Sequence, residues 1–265
     1  MSIGFFDSHA HYYDRRFYGE ENPEGAEVLL DSLFADGLIG VINVGTNPDS
    51  NLKAIEQAKR FPYMYAAIGI HPTDMADMKM PLDVAIASVK ALATDPENKV
   101  VAIGEMGLDY YWEPYDKVAQ RECFEAQINL ARELDMPIII HDREAHGDCF
   151  DVVMKYTDVR GVFHSYSGSA EMAKELIKRG WYISFSGVVS FKNAAKVKEV
   201  AAIVPEDRIL IETDAPYLAP HPYRGKINHS GRLLYTAEAL AEARGCETEH
   251  IARVTRENVR ALFGV

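Results

Sequence analysis

Short apolar runs rich in β-branched residues alternate along the chain with segments whose apolar positions recur every three or four residues. The first pattern reads as buried strand and the second as amphipathic helix. Strands are predicted at 3–6, 38–44, 63–70, 99–105, 136–140, 161–163, 181–185 and 208–211. Helices are predicted around 28–34, 48–60, 81–93, 117–134, 170–179, 233–243 and 249–263. Pro48 follows Asn47 as a helix start would require, and Gly180 stops the helix before it. The run at 136–140 is apolar throughout, which suits a strand covered on both faces.

Eight strands interleaved with helices in 265 residues predict an α/β fold, a (β/α)8 TIM-type barrel forming a single domain over 1–265. A doubly wound open sheet is the competing arrangement. The early glycines form no dinucleotide fingerprint, which weakens it. No linker of glycine, serine and proline divides the chain, and no repeat is evident.

Composition narrows the classes. No apolar run reaches membrane-spanning length, and the first residues lack a basic region followed by an apolar stretch, so a cytoplasmic protein without membrane association is expected. Cys123, Cys149 and Cys246 are an odd count at unrelated spacings and read as reduced thiols. A net charge of -12 argues against a broad basic surface coating nucleic acid. Bound cations can still reverse the sign of a pocket in an acidic protein. No obligate protein partner is evident.

The candidate chemistry follows the strand ends. His9 and His11 close the first predicted strand, two apart and so on one face, with Asp7 behind them to orient a ring. His71 follows the third strand, Glu105 ends the fourth, His141 follows the fifth, His164 the sixth and Asp214 the eighth. All fall at carboxyl ends of strands, the face on which barrel active sites are built. Imidazole and carboxylate donors suit divalent zinc, manganese or iron. With Glu105 as the bridge, one ion is assigned to His9, His11, Glu105 and Asp214, the other to Glu105, His141 and His164. Two ions about 3.5–4 Å apart can activate water and hold an oxyanion. Arg143 lies on the same rim and can clamp a phosphate, or pair at the surface with Asp142 or Glu144. His71 has no place in either ion's ligand set; substrate phosphate, proton transfer and loop packing stay open for it. Asp109, Tyr110, Tyr111 and Trp112 read as an acidic and aromatic loop that either stacks bases or packs beneath itself. Glu212 faces the side of Asp214, as a supporting carboxylate or a ligand for an extra ion.

The sequence resembles the TatD family of metal-dependent deoxyribonucleases nearly end to end. The resemblance rests on Asp7-Ser8-His9-Ala10-His11, Gly69-Ile70-His71-Pro72, Gly104-Glu105-Met106-Gly107-Leu108-Asp109-Tyr110-Tyr111 and Gln120…Phe124…Gln127. It continues through Pro137-Ile138-Ile139-Ile140-His141, His164-Ser165-Tyr166-Ser167-Gly168 and Glu212-Thr213-Asp214-Ala215-Pro216-Tyr217-Leu218. It implies a TIM-type barrel, two divalent ions (magnesium, manganese or zinc) and hydrolysis of DNA phosphodiester bonds. It also implies metal ligation by His9, His11, Glu105, His141, His164 and Asp214. Exonuclease action is expected, with Glu105, Asp214 and His71 catalytic and with Arg143, His71 and Arg224 on substrate. The loop after the eighth strand departs from the family. Arg224-Gly225-Lys226 is kept, but Asn228 is followed by His229-Ser230 where the family often has Glu-Pro. The alternatives are another hydrolase on the same scaffold, cutting an amide, a lactone or a tRNA ester, or a metal-bound scaffold without turnover.

Overall fold

The computed structural model describes residues 4–19 and 24–265. Ile3, the first residue of the first predicted strand, lies outside them. Among the described residues the order is β1 (Phe5–Ala10), α1 (Gly25–Ala35), β2 (Leu38–Val44), α2 (Pro48–Arg60), β3 (Met64–Ile68), α3 (Leu82–Ala93), β4 (Val100–Asp109), α4 (Lys117–Leu134), β5 (Ile138–Arg143) and α5 (His146–Val153). It continues with β6 (Gly161–Phe163), α6 (Ala170–Lys178), β7 (Tyr182–Phe185), α7 (Ala195–Ile203), β8 (Ile209–Ile211), α8 (Leu233–Arg244) and α9 (Thr248–Phe263). All eight strands belong to one sheet in sequence order, the order of the (β/α)8 barrel class that the alternation predicts. No helix among the described residues is long and apolar enough to cross a membrane.

The chain packs as two compact units. Residues 44–164 hold β3 to β6, paired parallel, with Ala66↔Val100, Ile103↔Ile138 and Ile140↔Phe163 among the facing residues. Strand residues including Ile68, Ile103, Met106, Leu108, Ile139 and Phe163 are almost wholly buried. α2 begins with a reciprocal cap: Asn47 accepts from the Ser50 N–H, and the Ser50 hydroxyl accepts from the Asn47 N–H. α4 begins on Asp116, whose carboxylate accepts from the N–H groups of Val118 and Ala119.

Residues 1–43 and 165–265 hold β1 paired with β2 and β7 paired with β8, again parallel. α9 lays Ile251, Val254, Val259, Leu262 and Phe263 inward, an apolar face at helical spacing. Its Asn258 amide donates to the Ile209 and Glu206 carbonyls and fastens the helix to β8.

Three strands extend beyond their predicted ends, which carries candidate residues from the strand ends into the strands. β4 continues to Asp109, so Glu105 sits mid-strand. β5 continues to Arg143 and takes in His141. β1 takes in His9. The apolar run stops where the polar chemistry begins, while the backbone ladder carries on through Gly107↔His141, Leu108↔Asp142 and Asp109↔Arg143. β3 is shorter than predicted and leaves His71 beyond its end, at the start of a 3-10 turn over Pro72–Asp77.

Candidate metal centre

In the unit of residues 44–164, Glu105 and Asp109 are four apart on β4, so both carboxylates face one way. Between them Gly107 stands opposite His141, and a Cβ there would lie 1.9 Å from the His141 carbonyl oxygen. Its φ of 146° also lies where only glycine is at ease. Glycine thus lets β5 close against β4 and brings the His141 ring between the two carboxylates.

The ring is gripped at both nitrogens. His141 Nε2 lies 3.0 Å from Asp109 Oδ2, and Nδ1 lies 2.8 Å from Glu105 Oε1. Burial opposes a charge on this ring, but the hydrogen bonds to Asp109 and Glu105 outweigh it and hold the His141 pKa above its ordinary value. Burial likewise pushes the Asp109 carboxyl up, and the His141 hydrogen bond overrides it, so its pKa falls below the usual carboxylate value. Glu105 Oε1 is also 2.8 Å from His164 Nε2, which lies 3.3 Å from His141 Nδ1. Two imidazole nitrogens and a carboxylate oxygen therefore converge, with the other nitrogen of His141 held by a second carboxylate. That is the donor set of a divalent cation with its orienting partner in place. A cation there would replace the proton on His141 Nδ1 and leave Nε2–H donating to Asp109.

His71 stands beside this set. Its Nδ1 accepts from the Thr73 N–H at 3.2 Å and lies 2.7 Å from the Thr73 hydroxyl, so a neutral ring carries its hydrogen on Nε2. That nitrogen is 3.6 Å from Glu105 Oε1, and the ring meets His141 edge-on at 4.2 Å between centroids. Burial, then the neighbouring His141, pushes the His71 pKa down to about 3.

Side-chain amides hold the strand ends. Gln127 accepts from the Ile70 N–H and donates to the Ile70 carbonyl, at 2.8 and 2.9 Å. Gln120 does the same for Asp109 at 2.9 and 3.0 Å, and Asn51 for Gly69 at 3.1 and 2.9 Å. Each amide completes a buried peptide group where the sheet ladder has ended. The sequence marks Gln120 and Gln127 as motif positions; their work as backbone clamps is visible only in the fold. Asp109 is the residue that sequence reasoning leaves in a loop. Its signal is the even spacing from Glu105, legible once β4 is known to continue.

In the unit of residues 1–43 and 165–265, His9 and His11 point to one side, with their Nε2 atoms 3.1 Å apart. Asp214 Oδ1 lies 3.7 Å from His9 Nε2 and 3.3 Å from His11 Nε2. The segment after β8 is laid along β1: the Asp214 N–H donates to the His9 carbonyl and the His11 N–H to the Ala215 carbonyl. Asp214 adopts a φ of 54°, a left-handed conformation that aspartate tolerates better than most residues.

Asp7 differs from expectation. Its buried carboxylate accepts from the Thr213 N–H and hydroxyl at 2.9 and 2.6 Å, from the Ser230 hydroxyl at 2.6 Å and from the His9 N–H at 3.3 Å. It anchors the backbone that carries Asp214. Burial still pushes its pKa up to about 6. The departing loop serves the same end: the Asn228 amide donates to the Thr213 carbonyl, and the Tyr12 hydroxyl lies 2.7 Å from Ser230 Oγ. Glu212 is fully buried.

The two arginines are exposed. Arg143 lies 4.1 Å from the centroid of Tyr111 and 5.7 Å from that of Trp112, while Asp142 pairs with His146. Arg224 lies 4.7 Å over Phe191.

Residues 6–264 match the family described as TatD related DNase. An uncharacterised metal-dependent hydrolase of Bacillus subtilis strain 168, YabD, is 41% identical over 98% of this chain and 99% of its own. A Citrobacter rodentium protein named 3'-5' ssDNA/RNA exonuclease TatD is 33% identical over 88% of this chain and 89% of its own. The crystal structure of YJJV, a TatD homologue from Escherichia coli K12, superposes with a TM-score of 0.88 at 27% identity, covering 100% of both chains. Full-length likeness in sequence and in fold has one reading: the chain belongs to the TatD family of metal-dependent hydrolases.

Proposed function

We propose that this chain is a two-metal deoxyribonuclease that hydrolyses phosphodiester bonds from a strand end, and that residues 1–265 act as one domain. The observation that carries the reading is Glu105, whose single oxygen Oε1 lies 2.8 Å from both His141 Nδ1 and His164 Nε2. Support also comes from the Citrobacter relative, named as an exonuclease on single-stranded DNA and RNA.

In this reading Glu105, His141 and His164 hold one divalent ion, of magnesium, manganese or zinc. His9, His11 and Asp214 would hold the other. Ions so bound supply Lewis acidity toward a phosphoryl oxygen and lower the pKa of water. Asp214 accepts the proton that the attacking water gives up. Asp109 keeps His141 in the tautomer whose Nδ1 is a donor atom. His71, neutral at any working pH with its hydrogen on Nε2, donates to Glu105 or to a substrate oxygen. Arg143 and Arg224 meet phosphates of the strand.

An acidic protein offers no long basic track, so it grips few phosphates and favours a free end that needs no unpairing. Equal masses of linear and closed-circular single-stranded DNA, incubated with protein and a panel of divalent metals, test this. Linear strands are expected to shorten stepwise while circles persist. Equal loss of circles would make the enzyme an endonuclease; no loss of either would remove DNA as substrate.

A further inference from the structure

Tyr111 and Trp112 follow Tyr110 just beyond β4, where an aromatic pair would ordinarily pack beneath its own loop. Here they are 51% and 59% exposed, with centroids 4.9 Å apart and ring planes at 90°. Their backbone, by contrast, is fastened. Asp109 Oδ1 accepts from the N–H groups of both residues, at 2.9 and 3.1 Å, while Oδ2 of the same carboxylate lies 3.0 Å from His141 Nε2. One buried carboxylate thus fixes an exposed aromatic corner in register with a histidine of the candidate metal set.

The corner also carries a cation. The Arg143 guanidinium lies 4.1 Å from the Tyr111 centroid, leaving its donors free to meet an anion at the edge of the rings. Water-exposed rings on an anchored loop are pre-organised: covering them gains apolar burial and costs little ordering. Rings beside a guanidinium match a ligand that repeats a flat π-system and a phosphate along one strand. An acidic peptide would match the charge but not the rings. A paired duplex would match the charge but keep its base faces covered.

We propose that Trp112, with Tyr111 and Arg143, forms a seat for one unstacked nucleobase and its phosphate, and that Asp109 is the positioning residue that sets this seat in register with His141. The inference rests on the nucleic-acid reading above and deepens it: it makes the substrate a single strand, held through a base face without regard to base identity.

The chain has two tryptophans, and Trp181 is 2% exposed, so a quench of emission by an added base reports Trp112. The full-length protein, supplemented with divalent metal, is titrated with a fluorescein-labelled phosphorothioate oligothymidylate and with an abasic strand of equal phosphate number. Anisotropy of the label measures binding in each case. Expected are quenching by thymidylate alone and binding about tenfold tighter or more than to the abasic strand. In Trp112→Ala that ratio falls toward one, and in Trp112→Phe most of it returns. Equal binding of the two strands by the wild-type protein, or a ratio unmoved in Trp112→Ala, would overturn the seat. Cleavage of DNA with no base dependence sinks the seat and leaves the nuclease reading standing. Base-dependent binding without cleavage does the reverse, and failure to bind either strand sinks both.

Discussion

Glu105 Oε1 lies 2.8 Å from two ring nitrogens, with a third imidazole nitrogen 3.6 Å away. Glu105 is 3% exposed, and these histidines offset part of its buried charge. Replacing it with alanine removes the acceptor that His141 and His164 share. Glu105→Ala is therefore expected to lose bound metal and turnover together, and elemental analysis beside a rate assay checks this. Retention of wild-type metal with near-normal turnover would remove Glu105 from the centre. His229 gives a stability prediction away from that centre. Burial, with Arg232 nearby, pushes its pKa down to about 4 from an ordinary 6.5. As pH falls below 6.5 the unfolded chain takes up this proton before the folded one does, so stability is intact above 6.5 and is lost progressively down to about 4. Urea midpoints of His229→Gln should fall less than those of the wild-type protein across that window. Parallel curves would mean that His229 plays no part in the acid response.

At the scale of elements, the chain uses amide side chains where strands give out. Gln127 on α4 completes both polar groups of the Ile70 peptide, next to His71. Gln127→Leu strands a buried N–H and a buried C=O, each costing about 1–3 kcal/mol, so destabilisation of about 2–6 kcal/mol is expected in urea unfolding. Gln127→Glu keeps an acceptor for the Ile70 N–H but no donor for its carbonyl, and should fall between. A neutral Gln127→Leu would show that solvent reaches Ile70. Elements with a clear period are legible in sequence: α4 and β2 fall where the pattern predicts. α5 and α7 are not, since each is short and starts after an alanine that supplies no side-chain cap. The ends of β4 and β5 are also illegible, because the hydrophobic pattern marks burial against apolar neighbours and these strands end among polar ones.

Charge belongs to the whole molecule. With 28 basic against 40 acidic residues, the proposed nuclease would rely for its grip on a polyanion on bound metal and on a few cations such as Arg143, Arg224 and Lys226. Three phosphates neutralised on a single strand give a log–log salt slope of about -2, or roughly a twentyfold loss of affinity between 50 and 200 mM salt. Anisotropy titrations across that range measure the slope. A value steeper than about -4 would reveal a basic track that these residues do not account for.

The sequence by itself determined the alternation of strands and helices, the in-order sheet that follows from it, and the identity of the metal-donor candidates. Periodicity fixes a residue's backbone state and the face it shows, and both are local properties. The tertiary structure decided the partners. Asp109 meets His141 across 32 positions and Gln127 meets Ile70 across 57, while Asp7 holds Thr213 rather than a histidine ring. Hydrogen bonds are satisfied within about 3 Å, and which groups come that close depends on how β4 seats against β5 at Gly107 and how α4 lies along the strand ends, neither of which a local pattern encodes.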